Sequence, residues 1–241
     1  MRYVLARLLV ILSGLAMVCG GTLLATPMAS AAPACPDVDV VFARGTVEPA
    51  PPLGLTGLSF VTALRSQLPG KSVADHGVNY PASGDFSNRL KFAQTVVTGV
   101  DDAQRHITAV AAACSRTKIV LGGYSQGAVV AGYTVSPGVV VPERYRQYAS
   151  RVPKPLPTKV LDRITALVLF APPSDRFMAD VGAPPVRTNP RLANRTVRYC
   201  IPGDTICDGA PAGQPNGLHV LYSVNGMTLD AARFVVAHTA P

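Results

Sequence analysis

The stretch KIVLGGYSQGAVV, residues 118–130, sets a serine between an apolar run and a run of small residues. Ile119, Val120 and Leu121 read as the end of a buried strand, and Gln126 to Val130 as the start of a helix. Gly123-Tyr124-Ser125-Gln126-Gly127 fits G-x-S-x-G at that junction, the tight corner that exposes a nucleophilic hydroxyl. Larger side chains beside the serine would collide with the strand and the helix. The helix N-terminus also turns free N–H groups toward the corner. The plain alternative is a glycine-rich turn whose serine only caps the helix.

Serine is a poor nucleophile unless a base lies within hydrogen-bond reach and a third group orients that base. In parallel-sheet proteins with this corner the chain order is serine, acid, histidine. Two of the four histidines follow Ser125. His238 is expected to cap the last helix, where a cation suits the dipole, which leaves His219, in PNGLHVLYS, as the base. His76 is read as a strand-edge residue and His106 as part of a solvated helix face. The acid should fall in CIPGDTICDG. Asp204 lies inside the loop that Cys200 and Cys207 could close and is the first choice; Asp208, outside it, is the second. An oxyanion would need two N–H donors: that of Gln126, directly after the serine, and one from Thr46 in FARGT, whose hydroxyl is a further donor.

These residues are far apart in sequence, so the elements between them must bring them together. Strands are expected at Val38–Phe42, Val73–Tyr80, Lys118–Tyr124, Ile164–Phe170 and Thr196–Cys200. Helices are expected at Thr56–Leu68, Asn88–Cys114, from Gln126 to about Val135, and at Thr228–His238. In the long helix Val97, Val100, Gln104, Ile107, Ala111 and Cys114 form the expected stripe. Alternation of apolar strands with helices argues for an α/β sandwich, a parallel sheet covered on both faces. Sites in such sheets lie beyond the carboxyl ends of the strands. ARGT, GYSQG and the loop after Cys200 each follow a strand, so one edge can gather all three.

Residues 1–31 are set apart. Arg2 and Arg7 precede an apolar run, Leu8–Leu24, and Ala29-Ser30-Ala31 gives the small-residue pattern of a secretory cleavage site. An uncleaved anchor is the alternative. The mature chain, 32–241, is read as one domain outside the cell. Without Cys19 it keeps Cys35, Cys114, Cys200 and Cys207. An even number in an exported chain suggests two disulfides. Cys200 and Cys207 are close enough to staple one loop, which leaves Cys35 with Cys114. Their spacing does not suit a zinc site, and the chemistry proposed for Ser125 calls for no cofactor or metal.

The chain carries 22 basic and 14 acidic residues. The excess is local: from Ser136 to Arg195 ten basic residues face four acids. That could form a rim for an anionic lipid or cell-envelope surface, or a solvated face. No aromatic-plus-basic motif accompanies it, so nucleic acid is not an expected partner.

Taken together, VVFARGT, NYPA, IVLGGYSQGAVV and CIPGDTIC resemble the cutinase family, especially its secreted bacterial members. The resemblance runs through nearly all of the mature chain. It implies a compact α/β-hydrolase, a three-layer α/β/α sandwich on a five-stranded, mostly parallel sheet. It implies Ser125 as nucleophile, Asp204 as acid, His219 as base, and the disulfides Cys35–Cys114 and Cys200–Cys207. It implies hydrolysis of carboxylic esters, from cutin-like polyesters and short acyl esters to lipids. A phospholipase, or an acyltransferase acting on envelope lipids, is the rival activity, and a monomer is the expected state. The oxyanion residue is often serine in fungal members and is Thr46 here. The segment from Ser136 to Arg163 is longer than in those enzymes and rich in proline, so it could partly cover the site.

Overall fold

The computed structural model describes residues 35–239; the expected leader lies outside the described residues. Five strands, β1 (Val38–Ala43), β2 (Val73–Gly77), β3 (Lys118–Tyr124), β4 (Ile164–Phe170) and β5 (Thr196–Tyr199), form one sheet in the order β2-β1-β3-β4-β5. All four pairings are parallel. β3, the strand that ends at the serine corner, is central. β2 stops three residues before the expected Tyr80: the chain leaves the edge of the sheet at Val78, whose N–H still reaches Phe42 O.

Among the described residues six α-helices flank the sheet: α1 (Gly54–Gln67), α2 (Arg89–Ala113), α3 (Gln126–Thr134), α4 (Thr158–Leu161), α5 (Asp175–Asp180) and α6 (Met227–Thr239). The short α4 and α5 have too few turns to show a period in the sequence. Because side chains alternate along a strand, apolar strands feed two cores. Val41, Leu121, Leu167 and Leu169 pack with Val100, Ile107 and Val130 of α2 and α3. Val40, Phe42, Val120 and Phe170 pack with Phe60 and Leu64 of α1 and with Ala232 and Val235 of α6. Phe42, Phe60 and Phe170 lie 5.9–6.3 Å apart, centroid to centroid, all fully buried. Each contributes about 1.5–3 kcal/mol by burial.

The buried stripe of α2 is Val96, Val100, Ala103 and Ile107, turned from the expected one; Val97 is only half-buried. The turn also carries Asp102 inward. Asp102 Oδ2 lies 2.7 Å from His76 Nε2, and Asp39 Oδ1 lies 2.9 Å from His106 Nε2. The two imidazoles stack at 3.9 Å. His106 is therefore half-buried and paired, not part of a solvated face. His238 Nδ1 lies 2.8 Å from Phe234 O in the last turn of α6, as a helix-end cap would.

Disulfides join Cys35 to Cys114 and Cys200 to Cys207, the pairing expected from spacing. The segment after α3 hangs from the end opposite to Ser125. Gln104 Nε2 donates to Thr134 O and Lys154 O, and Arg144 donates to Gly182 O. Among the described residues no hydrogen bond ties 136–163 to Ser125, Asp204, His219 or Thr46.

Candidate active site

The serine corner is held by backbone. Ser125 has φ +54° and ψ −117°, a strained conformation for a residue with a Cβ. Its N–H donates to Phe170 O at the end of β4. The corner closes so tightly that a Cβ on Gly127 would sit 1.9 Å from Ala43 O, and one on Gly123 would sit 2.1 Å from Gly127 O. Those contacts are with backbone, so neither position can hold alanine without moving β1 or α3. Strain of this kind persists only where its surroundings fix it, and it clusters at reactive centres.

His219 arrives on a short 3-10 turn, Gly217–Val220, just before α6. Its Nε2 lies 2.9 Å from Ser125 Oγ. Its Nδ1 lies 2.9 and 3.0 Å from the two oxygens of Asp204. Asp204 is fully buried and His219 almost so. Asp204 sits in the Cys200–Cys207 ring and accepts from Ile206 N at 3.0 Å and from Tyr222 Oη at 2.7 Å. Burial pushes its carboxyl up, but bonds from His219, Tyr222 and Ile206 N–H outweigh burial and hold it below the usual carboxylate range. An ionised Asp204 can only accept. Nδ1 of His219 must then carry the proton, which leaves the Nε2 lone pair facing the serine hydroxyl.

Asp208, the second choice for the acid, does other work: it accepts from Gly203 N–H at 2.6 Å and braces the ring from behind. The expected oxyanion donors, the N–H groups of Thr46 and Gln126, have no acceptor among the described residues. Their neighbours do. Gly45 N–H donates to Glu48 Oε2 at 2.7 Å and Val47 N–H to Ala82 O at 2.9 Å. The loop bearing Thr46 is thus fastened on both sides with its central N–H left over. Gln126 is buried at the first position of α3, so its N–H is one of the unpaired donors at a helix start.

The chain matches the family model described as Cutinase over residues 34–239. The chain belongs to the cutinase family. Among its relatives, a probable carboxylesterase, Culp7, of Mycobacterium tuberculosis is 42% identical over 71% of this chain and 88% of its own length. Phospholipase Culp4 of the same organism is 42% identical over 90% of this chain and 85% of its own. A cutinase of Trichoderma reesei, solved with a phosphonate inhibitor, superposes with a TM-score of 0.61 at 29% identity, over 86% of this chain and 78% of that one. The hydrolase fold read from the sequence is the fold observed, with every strand parallel.

Three side chains of this cutinase-family chain were not singled out from sequence. Tyr222 is fully buried, donates to Asp204 and accepts from Ile201 N–H at 2.9 Å. Burial and the Asp204 carboxylate push its phenol well above the ordinary value. Glu48 accepts from both Gly45 and Thr56, joining the Thr46 loop to the first turn of α1. Arg44 donates to Tyr80 O and Pro81 O and so ties the same loop to the NYPA segment. Acids, arginines and tyrosines are common in loops; only the fold shows what these touch.

Proposed function

We propose that the protein is a secreted serine esterase that hydrolyses carboxylic esters of short- to medium-chain acids or lipids by acyl transfer through Ser125. The observation that carries the reading is the unbroken run Asp204–His219–Ser125, with separations of 2.9 and 2.9 Å. His219 Nε2 takes the proton of Ser125 as the hydroxyl oxygen attacks the ester carbonyl. The N–H groups of Gln126 and Thr46 receive the oxyanion. On collapse, the alcohol leaves with the proton from His219, and the acyl group stays on Ser125. Water then enters; His219 takes its proton, and the acid leaves with Ser125 restored. Asp204 remains ionised and stabilises the imidazolium.

A lipid or phospholipid ester is the second reading, favoured by the likeness to a relative named phospholipase over 90% of the chain. The basic segment supports a role at an anionic surface less than its charge suggests. Arg187 and Arg191 make paired bonds with Asp175 and Asp162, and Arg163 and Arg195 donate to backbone carbonyls. Residues 1–31 are read as a leader removed on export, with the two disulfides suited to an oxidising compartment.

The test is a series of p-nitrophenyl esters of rising chain length plus a phosphatidylcholine, with wild type and Ser125→Ala, alongside fluorophosphonate labelling. Wild type should turn over at least one ester and take the label. Ser125→Ala should lose about 10⁶-fold in kcat, the scale for removing such a nucleophile, and stay unlabelled. Equal turnover by the two proteins would overturn the assignment.

A further inference from the structure

Besides Tyr222, a second side chain that the mechanism does not use joins the catalytic loops. Asn216 is the N-cap of the short 3-10 turn that carries His219, and its Oδ1 accepts from Leu218 N–H at 3.2 Å. Its backbone carbonyl accepts from His219 N–H at 3.0 Å. Its Nδ2 reaches out of the turn and donates to Gly203 O at 2.8 Å, one residue before Asp204. One asparagine thus bonds both to the residue that bears the imidazole and to the loop that bears the carboxylate.

The surroundings make that link matter. Residues 208–216 connect the stapled ring to the 3-10 turn and are mostly exposed. Asp208 is tied to the ring itself, its carboxylate to Gly203 N–H and its N–H to Asp204 O. Beyond it the segment is held by Thr205 Oγ1 donating to Gln214 O and Ala212 N–H donating to Asp180 Oδ2. On its far side the histidine is held differently, by the Tyr124 hydroxyl donating to His219 O. Asp204 is fixed by its ring and by Tyr222. The approach of His219 toward it from the N-terminal side is fixed by Asn216.

We propose that Asn216 is a positioning residue for the reaction: its carboxamide N–H, bonded to Gly203 O, sets the register of the His219 turn against the Asp204 ring. This rests on the Ser125–His219–Asp204 reading above. The cap and the clamp use different atoms of one carboxamide, so they can be separated. Asn216→Asp keeps an oxygen to cap Leu218 N–H but puts a second oxygen against Gly203 O, where a donor is needed. Asn216→Ser also caps well but is one bond too short to reach Gly203 O.

The experiment measures kcat and KM for p-nitrophenyl butyrate, and the thermal midpoint, for wild type, both Asn216 variants and Ser125→Ala. A displacement of about 1 Å in a catalytic array costs on the order of 10²-fold in rate. Both Asn216 variants should therefore lose about 10- to 100-fold in kcat, with KM within about two-fold and thermal midpoints near wild type. Wild-type kcat in both would overturn the proposal. So would a loss of activity that follows a fall in thermal midpoint, since that assigns Asn216 to folding. An active Ser125→Ala protein would instead overturn the mechanism beneath it, so the two failures read differently.

Discussion

Replacing Tyr222 by phenylalanine removes one oxygen from a fully buried site. The ring stays packed against Tyr124 and Phe170. Two interactions go: the phenol's bond to the Asp204 carboxylate at 2.7 Å, and the acceptor for Ile201 N–H at 2.9 Å. A hydrogen bond to a charged group contributes about 1.5–3 kcal/mol, and an ordinary one about 1 kcal/mol. Tyr222→Phe should therefore be less stable by about 2–4 kcal/mol at pH 8. The pH dependence follows from Asp204, whose carboxyl the fold holds below the usual range. A lowered value gives stability that is present above the unfolded carboxyl value of about 3.9 and lost as pH falls through the folded one. Without the phenol the folded value rises toward the unfolded one, so part of that stability disappears. The gap between the proteins should then narrow as pH falls from about 4, where the variant's carboxyl takes up its proton first, toward the lower folded value of wild type. Urea denaturation with disulfides intact, at pH 8 and at pH 3, measures both quantities. A stability within about 0.5 kcal/mol of wild type at pH 8, or a gap indifferent to pH, would refute the argument, because a bond to a charged group should exceed that figure.

Two further outcomes are expected. Glu48→Ala should remove the acceptor of Gly45 and Thr56 N–H groups and destabilise the fold by about 0.5–2 kcal/mol, the range for losing a cap; kcat should fall more than KM changes, because the freed loop carries Thr46. Stability curves and initial rates on butyrate esters check it, and unchanged kcat would remove Glu48 from the site. Selective loss of the Cys200–Cys207 bond, through paired serine replacements, should lower stability by about 2.5 kcal/mol by loop closure over eight residues. It should also lower kcat at temperatures where circular dichroism is still native, since the ring holds Asp204; activity that declines only with unfolding would refute that role.

The three inner strands were legible because a strand buried on both faces is mostly apolar, as VDVVFA and ITALVLF are. The edge strands β2 and β5 are short and only partly buried, and were placed by their alternation with the helices. The serine corner was legible for a steric reason: Gly123 and Gly127 have no substitutes where backbone oxygens approach within about 2 Å of a Cβ position. Chain order then chose His219, and the ring drawn by two cysteines chose Asp204 over Asp208. The stripe of α2 was misplaced by part of a turn. Sequence pattern rewards apolar residues, whereas the fold turned Asp102 inward to meet His76. Tyr222 and Arg44 carried no pattern, because their bonds join residues 18 to 37 positions apart that local spacing cannot relate. Glu48 bonds nearby residues, but a lone acid in a loop does not announce its partners. Their types allow such bonds; only the packed chain supplies the partner. Local sterics and hydrophobic period thus determined the sheet and its reactive corner from the sequence alone. The convergence of three loops, and the buried bonds that hold them in register, was decided by tertiary contacts between residues up to 95 positions apart.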